Sequence, residues 1–392
     1  MLSSFQQAAL ELILNGKSVF LTGLAGTGKT TIVNEFRALR PDVPLLASTG
    51  LAATLIGGRT VHSFFGVGAP VNTAHALRNF MRNRSKVERR LAACDCIVID
   101  EVSMLGANLF TALEQICRLV RSPLLPWGGL QVVVVGDFCQ LAPVNDDWAF
   151  LTDAWQFETV FLKEVFRSRD KDFLKVLNCL RSGQIDSTTE EYLNSRVLQP
   201  PASCVRLYAR NKGVDSFNAH ELSSLSGAEH TFPTYYSGSN RATNMSKLPI
   251  PKELRLKIGA QVMLRANCYK GEYVNGTVGI VVDIGKSLTI ETECGIIEIG
   301  KRKFEVRNGD GVCVFTGTNF PISLAWASTI HKAQGRSLDN IYTDLRNLWA
   351  PGQAYVALSR ATSGGGVFLK GWEYKSIKTD TRVRDFYDKR RS

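Results

Sequence analysis

A glycine-rich segment that ends in lysine and threonine directly follows an apolar run at residues 18–21. Residues 23–30 read Gly-Leu-Ala-Gly-Thr-Gly-Lys-Thr, so backbone N–H groups can wrap around phosphate oxygens where a Cβ would collide. Lys29 can then reach the β- and γ-phosphates, and the Thr30 hydroxyl can coordinate Mg²⁺. This pattern predicts a nucleoside triphosphate site, with a chance glycine-rich turn as the alternative. The residues expected to contact the nucleotide here are Gly23, Gly26, Thr27, Gly28, Lys29 and Thr30.

Two carboxylates end a second apolar run, at residues 96–101. Behind a phosphate loop such a pair suits hydrolysis, because Asp100 can hold Mg²⁺ through water and Glu101 can orient or deprotonate the attacking water. An enzyme that passes the phosphate to another substrate has no need of the second carboxylate in this form. Acidic residues at strand ends are common, so an ordinary strand end is the alternative.

A third apolar run, residues 131–135, leads into Gly-Asp-Phe-Cys-Gln at residues 136–140. If this run ends beside the other two, the Gln140 amide lies near the γ-phosphate, where it can donate to phosphate and accept from water. Gln140 would then report whether the phosphate is present. A turn-capping role for Gln140 is the alternative.

These three segments need a common scaffold. Each apolar run is short and strand-like, and a helical stretch follows the first run from residue 31 onward. Strands that alternate with helices form a parallel sheet, and ligands bind at the carboxyl ends of its strands. The expected fold class is therefore α/β, with Lys29, Asp100 and Gln140 at one edge of a parallel sheet.

The bulk composition is typical of a globular protein with a polyanionic partner. A length of 392 residues predicts two to four compact units, and 44% hydrophobic with 21% charged residues excludes a disordered chain. The net charge of +11 favours nucleic acid as a partner. Part of this charge is concentrated at residues 78–90, which hold six basic residues against Glu88.

Membrane, secretory and metal-cluster signals are missing from the sequence. No apolar stretch approaches the roughly 20 residues of a spanning helix, and residues 1–7 have no secretory pattern. The nine cysteines are scattered, and the spacing of Cys94 and Cys96 is wrong for a zinc site. We expect buried free thiols in a reducing compartment.

The motifs together resemble those of the Pif1 family of superfamily 1B DNA helicases, over nearly the whole chain. Residues 48–53 and 57–65 resemble motifs Ia and Ib. Residues 101–104 and 126–131 resemble the family's signature region, which runs into motif III. The start of the chain is similar to the helicase Q motif, which implies that Gln6 reads the adenine edge, with Gln7 as the neighbouring alternative.

The second half of the chain extends the resemblance. Residues 161–168 resemble motif IV, although Ser168 stands where the family usually has glutamine. Residues 329–335 look like motif V, and residues 352–360 look like motif VI. The resemblance implies arginine fingers that stabilise charge on the transferred phosphoryl group, and ATP with Mg²⁺ as cofactors. The residues implied on the nucleotide side of this half are Arg167, Gln334, Gly335 and Arg360.

The architecture implied by the resemblance is two RecA-like parallel-sheet P-loop domains with two insertions. Domain 1A would span 1–155, with a 1B wedge insertion at about 66–90. Domain 2A would span 156–392, interrupted at about 256–316 by an SH3-like β-barrel, domain 2B. Residues 79–81 could supply an apolar strand-separation element, and a plain amphipathic helix packed on domain 1A is the alternative.

Contacts with single-stranded DNA are also implied by the resemblance. Hydroxyls and cations hold phosphates, and flat side chains lie against bases. Ordinary packing is the alternative for His62, and we expect one of Phe64 and Phe65 to pack in the core. Residues 301–303 either touch DNA or form a solvated turn. The implied contacts are Thr49, His62, Phe64, Asn275, Thr329, His331 and Lys332.

The leading hypothesis is an ATP-dependent helicase that moves 5′ to 3′ on single-stranded DNA and unwinds duplex, G-quadruplex or RNA–DNA hybrid. The direction rests on the resemblance alone. A translocase that strips proteins from DNA, a nucleotide-gated clamp and an RNA helicase are the alternatives. The set of Glu101, Arg167 and Arg360 argues against the clamp, because a clamp needs no complete hydrolytic machinery.

The expected partners are single-stranded DNA and single-strand/duplex junctions, with no membrane, for a protein that is a monomer in solution. We expect a role in DNA replication, recombination or repair. The short chain predicts a minimal catalytic core of bacterial or phage type, located in the cytoplasm and associated with the nucleoid. A nuclear or mitochondrial location is the alternative if the chain is a eukaryotic fragment.

Overall fold

The protein divides into two compact units, Met1–Pro200 with Ser337–Ser392, and Pro201–Arg336. The domain boundary at residue 155 stays a prediction. The computed structural model describes residues 2–49, 52–53, 56–68, 72–166, 170–201, 204–239, 241–245, 248–266, 268, 273, 277–292, 295–307, 313–335 and 337–391.

Strands occur throughout both units. In chain order they are β1 Val19–Gly23, β2 Leu45–Ala47, β3 Arg59–Thr60, β4 Cys96–Asp100, β5 Gln131–Val135, β6 Glu158–Leu162, β7 Val205–Tyr208, β8 His230–Pro233, β9 Tyr235–Gly238, β10 Glu253–Leu256, β11 Gln261–Leu264, β12 Val278–Ile284, β13 Leu288–Thr292, β14 Gly295–Ile299, β15 Arg302–Arg307, β16 Cys313–Asn319, β17 Ile322–Leu324, β18 Ala327–Thr329, β19 Ile341–Leu345 and β20 Val367–Trp372.

Helices connect many of these strands. In chain order they are α1 Ser4–Leu14, α2 Lys29–Leu39, α3 Val61–Phe64, α4 Thr73–Arg82, α5 Arg84–Ala92, α6 Ala107–Val120, α7 Lys171–Ser182, α8 Ser187–Ser195, α9 Asn211–Ser224, α10 Arg241–Met245, α11 Ile330–Ala333, α12 Gln353–Leu358 and α13 Thr381–Arg391.

A six-stranded sheet in the order β3-β2-β4-β5-β1-β6 forms the centre of the first unit, and every pair in it is parallel. Its strands β1, β4 and β5 are almost entirely buried and read as continuous apolar runs. Such runs are expected when both faces of a parallel sheet are covered. The predicted α/β class with a parallel sheet is therefore confirmed.

The helices beside this sheet begin at recognisable caps. Before α1, the Ser3 hydroxyl accepts from the Gln6 N–H while the Gln6 side chain accepts from the Ser3 N–H, which forms a capping box. Helix α2 starts immediately after Gly28, whose φ of 79° is left-handed. Apolar residues of α1 and α2 share one core with β1 and β4, including Ile13, Ile32 and Phe36.

Segments far apart in sequence complete the first unit. Helix α7 is capped at its start by Asp170, whose side chain accepts from Phe173 N–H, and is followed by Gly183, whose φ is 70°. Strands β19 and β20 pair in parallel. Helix α13 places Phe386 against the aromatic rings of Phe20 and Phe138, with ring centroids 6.1 and 5.5 Å away. Helix α13 therefore packs on the six-stranded sheet, because Phe20 lies on β1 and Phe138 follows β5.

Two basic helices, α4 and α5, lie between β3 and β4. Helix α4 packs on α6 and buries Ala76 and Phe80. Of residues 79–81, only Met81 is exposed, because Phe80 is buried and the Asn79 side chain donates to Val67 O at 2.8 Å. This arrangement matches the amphipathic-helix alternative for residues 79–81 more closely than an apolar separation element.

The second unit is built mainly from antiparallel strands. A five-stranded sheet has the order β14-β13-β12-β11-β17, a three-stranded sheet the order β15-β16-β9, and β8 pairs with β10. Its main core includes Val262, Ile290 and Phe320, each with no exposed surface. Strands β7 and β18 pair in parallel, and α9 is joined to β18 by two hydrogen bonds between Asn218 and Ala327.

Among the described residues, no helix has the length and apolar character needed to cross a membrane. The eight described cysteines are all free, and Cys94, Cys96, Cys117, Cys139 and Cys204 are buried.

Candidate nucleotide-binding site

The phosphate loop, residues 23–30, joins the carboxyl end of β1 to the first turn of α2. Gly26 and Gly28 both adopt left-handed backbone conformations, with φ of 85° and 79°. A Cβ on Gly28 would stand 2.2 Å from the Nε2 atom of Gln6 and would displace that side chain, and the left-handed φ favours glycine at this position in any case. Inside the loop, Thr27 N–H and the Thr27 hydroxyl both donate to Leu24 O. The loop is thus compact, and its shape depends on glycine.

Lys29 points back into this loop. Its ammonium donates to Gly23 O at 2.8 Å and to Leu24 O at 2.9 Å. Burial lowers the pKa of Lys29 to about 8, although the carboxylates of Asp137 and Glu101 act in the opposite direction. Because these contacts are to neutral carbonyl oxygens, the Lys29 ammonium can exchange them for the negatively charged phosphate oxygens of a nucleotide.

Gln6 is the glutamine that reaches the phosphate loop. Its Nε2 donates to Thr27 O at 3.2 Å, and the side chain is buried. Gln7 is exposed and bonds Glu11 on its own helix. Of the two alternatives for the Q motif, the geometry therefore favours Gln6.

Asp100 and Glu101 end β4, which lies next to β5 and one strand away from β1. Glu101 N–H donates to Asp100 Oδ1 at 2.8 Å. Burial, reinforced by the negative charge of Glu101, raises the pKa of Asp100 well above its usual range. Glu101 has a φ of 52°, a strained conformation for a residue with a side chain, and such strain is concentrated at functional sites.

Gln140 follows β5 and has an unusual environment. The side chain is 7% exposed, and its Oε1 is buried with no hydrogen-bond partner among the described residues. A buried amide oxygen without a partner costs about 1–3 kcal/mol, so a ligand or water that donates to it would be stabilised. This observation supports a ligand-sensing role for Gln140 over a simple turn cap.

Helix α12, which precedes Arg360, packs directly on this region. Gly352 has a φ of 78°, and a Cβ there would stand 2.5 Å from Gln140 O. The Tyr355 hydroxyl accepts from Ala25 N–H in the phosphate loop at 3.0 Å. Arg360 is 1% exposed, and its guanidinium donates to Val356 O and to the Ser359 hydroxyl. The helix preceding Arg360 is thus anchored to the phosphate loop.

A buried carboxylate that the sequence analysis left without a role lies at the centre of these contacts. Asp137, with no exposed surface, forms a bidentate ion pair with Arg181 at 2.9 and 3.0 Å. The hydroxyls of Tyr355 and Tyr387 donate to its two oxygens at 3.1 and 3.2 Å. Burial alone would raise the pKa of Asp137, but the charge and hydrogen bonds of Arg181 lower it below the usual value. We call these four residues the Asp137 cluster.

The chemical character of the site fits ATP with Mg²⁺. The left-handed Gly26 and Gly28 shape the loop, and the exposed Thr30 follows Lys29 at the start of α2. Thr30 and Asp100 would supply the hard oxygen ligands that Mg²⁺ prefers. Among the residues that the structure describes, none bonds the buried Oε1 of Gln140, which can therefore accept a hydrogen bond from a ligand.

The residues implied to bind DNA in the first unit have different surroundings. Thr49 is half-buried, and its hydroxyl accepts from Ala52 N–H. His62 is half-buried on α3, and burial lowers its pKa, so the ring is neutral at neutral pH. Phe64 is 3% exposed and packs edge-on against Phe65, also buried. Phe64 was expected to contact a DNA base, but both rings pack in the core.

The motif V residues lie in the second unit. The Thr329 hydroxyl caps α11 by accepting from Lys332 N–H at 3.2 Å, and Lys332 is exposed. Burial lowers the pKa of His331, which is half-buried. Gln334 is buried, and Gly335 has a left-handed φ of 79°. Arg167 and Asn275, with predicted roles in hydrolysis and DNA binding, lie outside the described residues.

The sequence assigns no role to any of the four residues of the Asp137 cluster, although two of them lie within motif segments. Asp137 follows a buried strand in the same way as Asp100, which is a usable signal. Tyr355 lies within the segment that resembles motif VI. Arg181 and Tyr387 belong to no motif, and no local pattern distinguishes them from other helical residues.

The sequence of this chain is similar to the sequences of known Pif1 helicases. A family model described as PIF1-like helicase matches residues 1–191. The ATP-dependent DNA helicase Pif1 of Bdellovibrio bacteriovorus is 40% identical over 98% of this chain and 91% of that protein. The vertebrate relatives are longer, and the chain covers between 62% and 64% of their length.

The fold of this chain is similar to the folds of solved Pif1 helicase structures. The crystal structure of Candida albicans Pif1 helicase has a TM-score of 0.84 at 31% identity and covers 99% of this chain and 98% of that chain. A Bacteroides Pif1 bound to single-stranded DNA has a TM-score of 0.78 at 27% identity, covering 99% and 97%. With its RecA-like core, phosphate loop and paired carboxylates, the chain belongs to the Pif1 family of ATP-dependent DNA helicases.

Proposed function

We propose that this protein is an ATP-driven motor that moves 5′ to 3′ along single-stranded DNA and separates the duplex ahead of it. One observation carries the proposal: the phosphate loop, the Asp100–Glu101 pair and residues 136–140, which we call the Gln140 turn, follow neighbouring strands of one sheet. Helix α12 is anchored to the phosphate loop through Tyr355. Bound ATP with Mg²⁺ supplies the phosphoryl group whose hydrolysis drives movement.

Each side chain of the site has a definite task in this proposal. Lys29 places positive charge on the terminal phosphates, while Thr30 and Asp100 hold Mg²⁺. Glu101 orients the attacking water and accepts its proton. Gln140 reports the state of the phosphate, and Arg360, together with Arg167, stabilises negative charge that develops during hydrolysis. Gln6 recognises the base, and Gln334 and Gly335 complete the nucleotide side.

Single-stranded DNA is proposed to be held by phosphate contacts from both units. The contacts are Thr49 and His62 from the first unit, and Thr329, His331, Lys332 and Asn275 from the second. The net charge of +11 supports a polyanionic track. We further propose that residues 66–90 form insertion 1B and that residues 256–316 form an SH3-like domain 2B; the helices α4 and α5 and the antiparallel strands β11–β14 support these assignments.

A translocase that moves on DNA without separating strands is the second candidate. It is favoured by the burial of Phe80, because only Met81 among residues 79–81 presents an exposed apolar side chain. A motor of this kind needs the same nucleotide site and no wedge.

Two forked DNA substrates distinguish these candidates, one with only a 5′ tail and one with only a 3′ tail. ATP-dependent strand separation is measured beside ATP hydrolysis without nucleic acid, with single-stranded DNA and with single-stranded RNA, and Lys29→Ala is the control. We expect unwinding of the 5′-tailed fork alone. Stimulated hydrolysis without strand separation would select the translocase, unwinding of the 3′-tailed fork would reverse the direction, and stimulation only by RNA would refute a DNA motor.

We propose a role in DNA replication, recombination or repair, as a monomer in solution, in the cytoplasm of a bacterial or phage-infected cell. The likeness to the bacterial Bdellovibrio helicase supports the cell type. Light scattering after size-exclusion chromatography tests the monomer, for which the sequence mass is 43.3 kDa.

A further inference from the structure

The hydroxyl of Tyr387 lies 27 positions beyond Arg360 in the sequence, yet it contacts the nucleotide site. It accepts from Phe138 N–H at 2.9 Å, forms a 2.9 Å hydrogen bond with the Thr22 hydroxyl, and donates to Asp137 Oδ1. A tyrosine hydroxyl has one donor and two acceptor positions, so these three bonds saturate it. One atom therefore joins the end of β1 to the start of the Gln140 turn.

The Tyr355 hydroxyl makes the complementary connection. It accepts from Ala25 N–H inside the phosphate loop and donates to Asp137 Oδ2. The two carboxylate oxygens of Asp137 thus receive one tyrosine each. Through this single carboxylate, the phosphate loop at Ala25 is linked to the turn at Phe138.

Arg181 fixes the orientation of the Asp137 carboxylate. Its guanidinium spans both oxygens of Asp137 and lies 4.8 Å above the Tyr387 ring. Cys139 N–H also donates to the carboxylate, at 3.1 Å. Because an ionised carboxylate is only an acceptor, both tyrosines must donate to it, which leaves their lone pairs for the two backbone N–H groups.

We infer that Tyr355 and Tyr387 are positioning residues for ATP hydrolysis: through Asp137 they hold the phosphate loop and the Gln140 turn at a fixed distance from each other. The inference rests on the proposed function. Hydrolysis is sensitive to such alignment, since a misplacement of about 1 Å can cost on the order of a hundredfold in rate. Neither hydroxyl touches the reacting atoms in this scheme.

Removal of each hydroxyl singly tests the inference, with amide hydrogen exchange as a readout that needs no nucleotide. In Tyr387→Phe the Phe138 amide should exchange at least about tenfold faster while the Ala25 amide changes less, and Tyr355→Phe should show the reverse pattern. Tyr192→Phe is the matched control, because that hydroxyl donates to Gly364 O outside the cluster and its loss should leave both amides unchanged.

Steady-state ATP hydrolysis with single-stranded DNA is then measured on the same variants. We expect kcat to fall about tenfold in Tyr355→Phe and Tyr387→Phe, with KM for ATP changed less than about twofold, and no change in Tyr192→Phe. An unchanged kcat would overturn the inference, as would a rise in KM alone or a uniform increase in exchange along the chain. If the unaltered protein hydrolyses no ATP, the proposed function is refuted instead. The exchange pattern would still test whether the two tyrosine hydroxyls hold these amides.

Discussion

Substitution of Arg181 by alanine removes the only cation that the described structure pairs with the buried Asp137. The pair is bidentate, and its side chains are 8% and 0% exposed. Loss of one partner from a buried pair costs about 3–5 kcal/mol, because the remaining charge stays desolvated. Two tyrosine hydroxyls and Cys139 N–H still contact the carboxylate, so we expect a loss near the lower limit, about 3 kcal/mol. This corresponds to a decrease in the folding equilibrium constant on the order of a hundredfold.

Urea unfolding followed by tryptophan fluorescence measures this loss, since five of the six tryptophans lie in the first unit. Arg84→Ala is the matched control: Arg84 pairs with Glu88 on the surface of α5, where side chains are 52% and 38% exposed. That exposed pair is expected to contribute no more than about 0.5 kcal/mol.

The pH dependence provides a second check. In the unaltered protein the pKa of Asp137 is lowered, so its contribution is present above the unfolded value of about 3.9 and is lost as the pH falls through the folded value. Without Arg181, burial raises the pKa of Asp137, and the folded protein then gains by taking up a proton. The destabilisation should therefore be largest at a pH where Asp137 is ionised in the variant and should shrink as the pH is lowered toward the unfolded value of about 3.9. A loss below about 1 kcal/mol, or one independent of pH, would refute an ionised Asp137.

Other substitutions test the remaining assignments. Lys29→Ala should reduce ATP hydrolysis at least about a hundredfold while circular dichroism stays unchanged, and normal turnover would contradict the phosphate-loop assignment. Glu101→Gln should keep binding of a fluorescent ATP analogue and lose hydrolysis by about a hundredfold or more; weakened binding with normal turnover would exclude a catalytic role. Phe64→Leu should lower the unfolding free energy by about 1 kcal/mol and leave affinity for single-stranded DNA unchanged, whereas His62→Ala should weaken that affinity. If exposed Arg89 contacts a phosphate, Arg89→Ala should reduce the slope of log affinity against log salt by about one, and an unchanged slope places Arg89 outside the DNA path.

Local patterns were sufficient for the parts of the site that depend on neighbours in sequence. The glycine spacing before Lys29 predicts a loop because left-handed backbone and close approach are properties of single residues, and Gly28 shows both. Continuous apolar runs predict buried parallel strands, and β1, β4 and β5 are such strands. The family and the enzyme class were likewise predicted correctly from the motifs, as the likeness to the Bdellovibrio and Candida proteins confirms.

Burial of individual aromatic residues was harder to predict. Phe64 and Phe80 lie in segments where a family pattern or a basic composition suggested a surface role, yet both are buried. An amphipathic stretch shows that one face will be covered, but not which neighbour covers it. The helix that carries Phe80 packs on α6, which begins 27 residues later in the chain.

The sequence by itself determined the phosphate loop, the carboxylate pair, the parallel-sheet class and the family, because each depends on residue types at short, fixed spacing. Only the tertiary structure decided that Asp137 is a buried anion held by Arg181, Tyr355 and Tyr387. Two of these partners follow it by 218 and 250 positions, and Arg181 by 44. Contacts over such separations arise when packing brings distant segments together, and a buried charge needs these partners because it has lost its water.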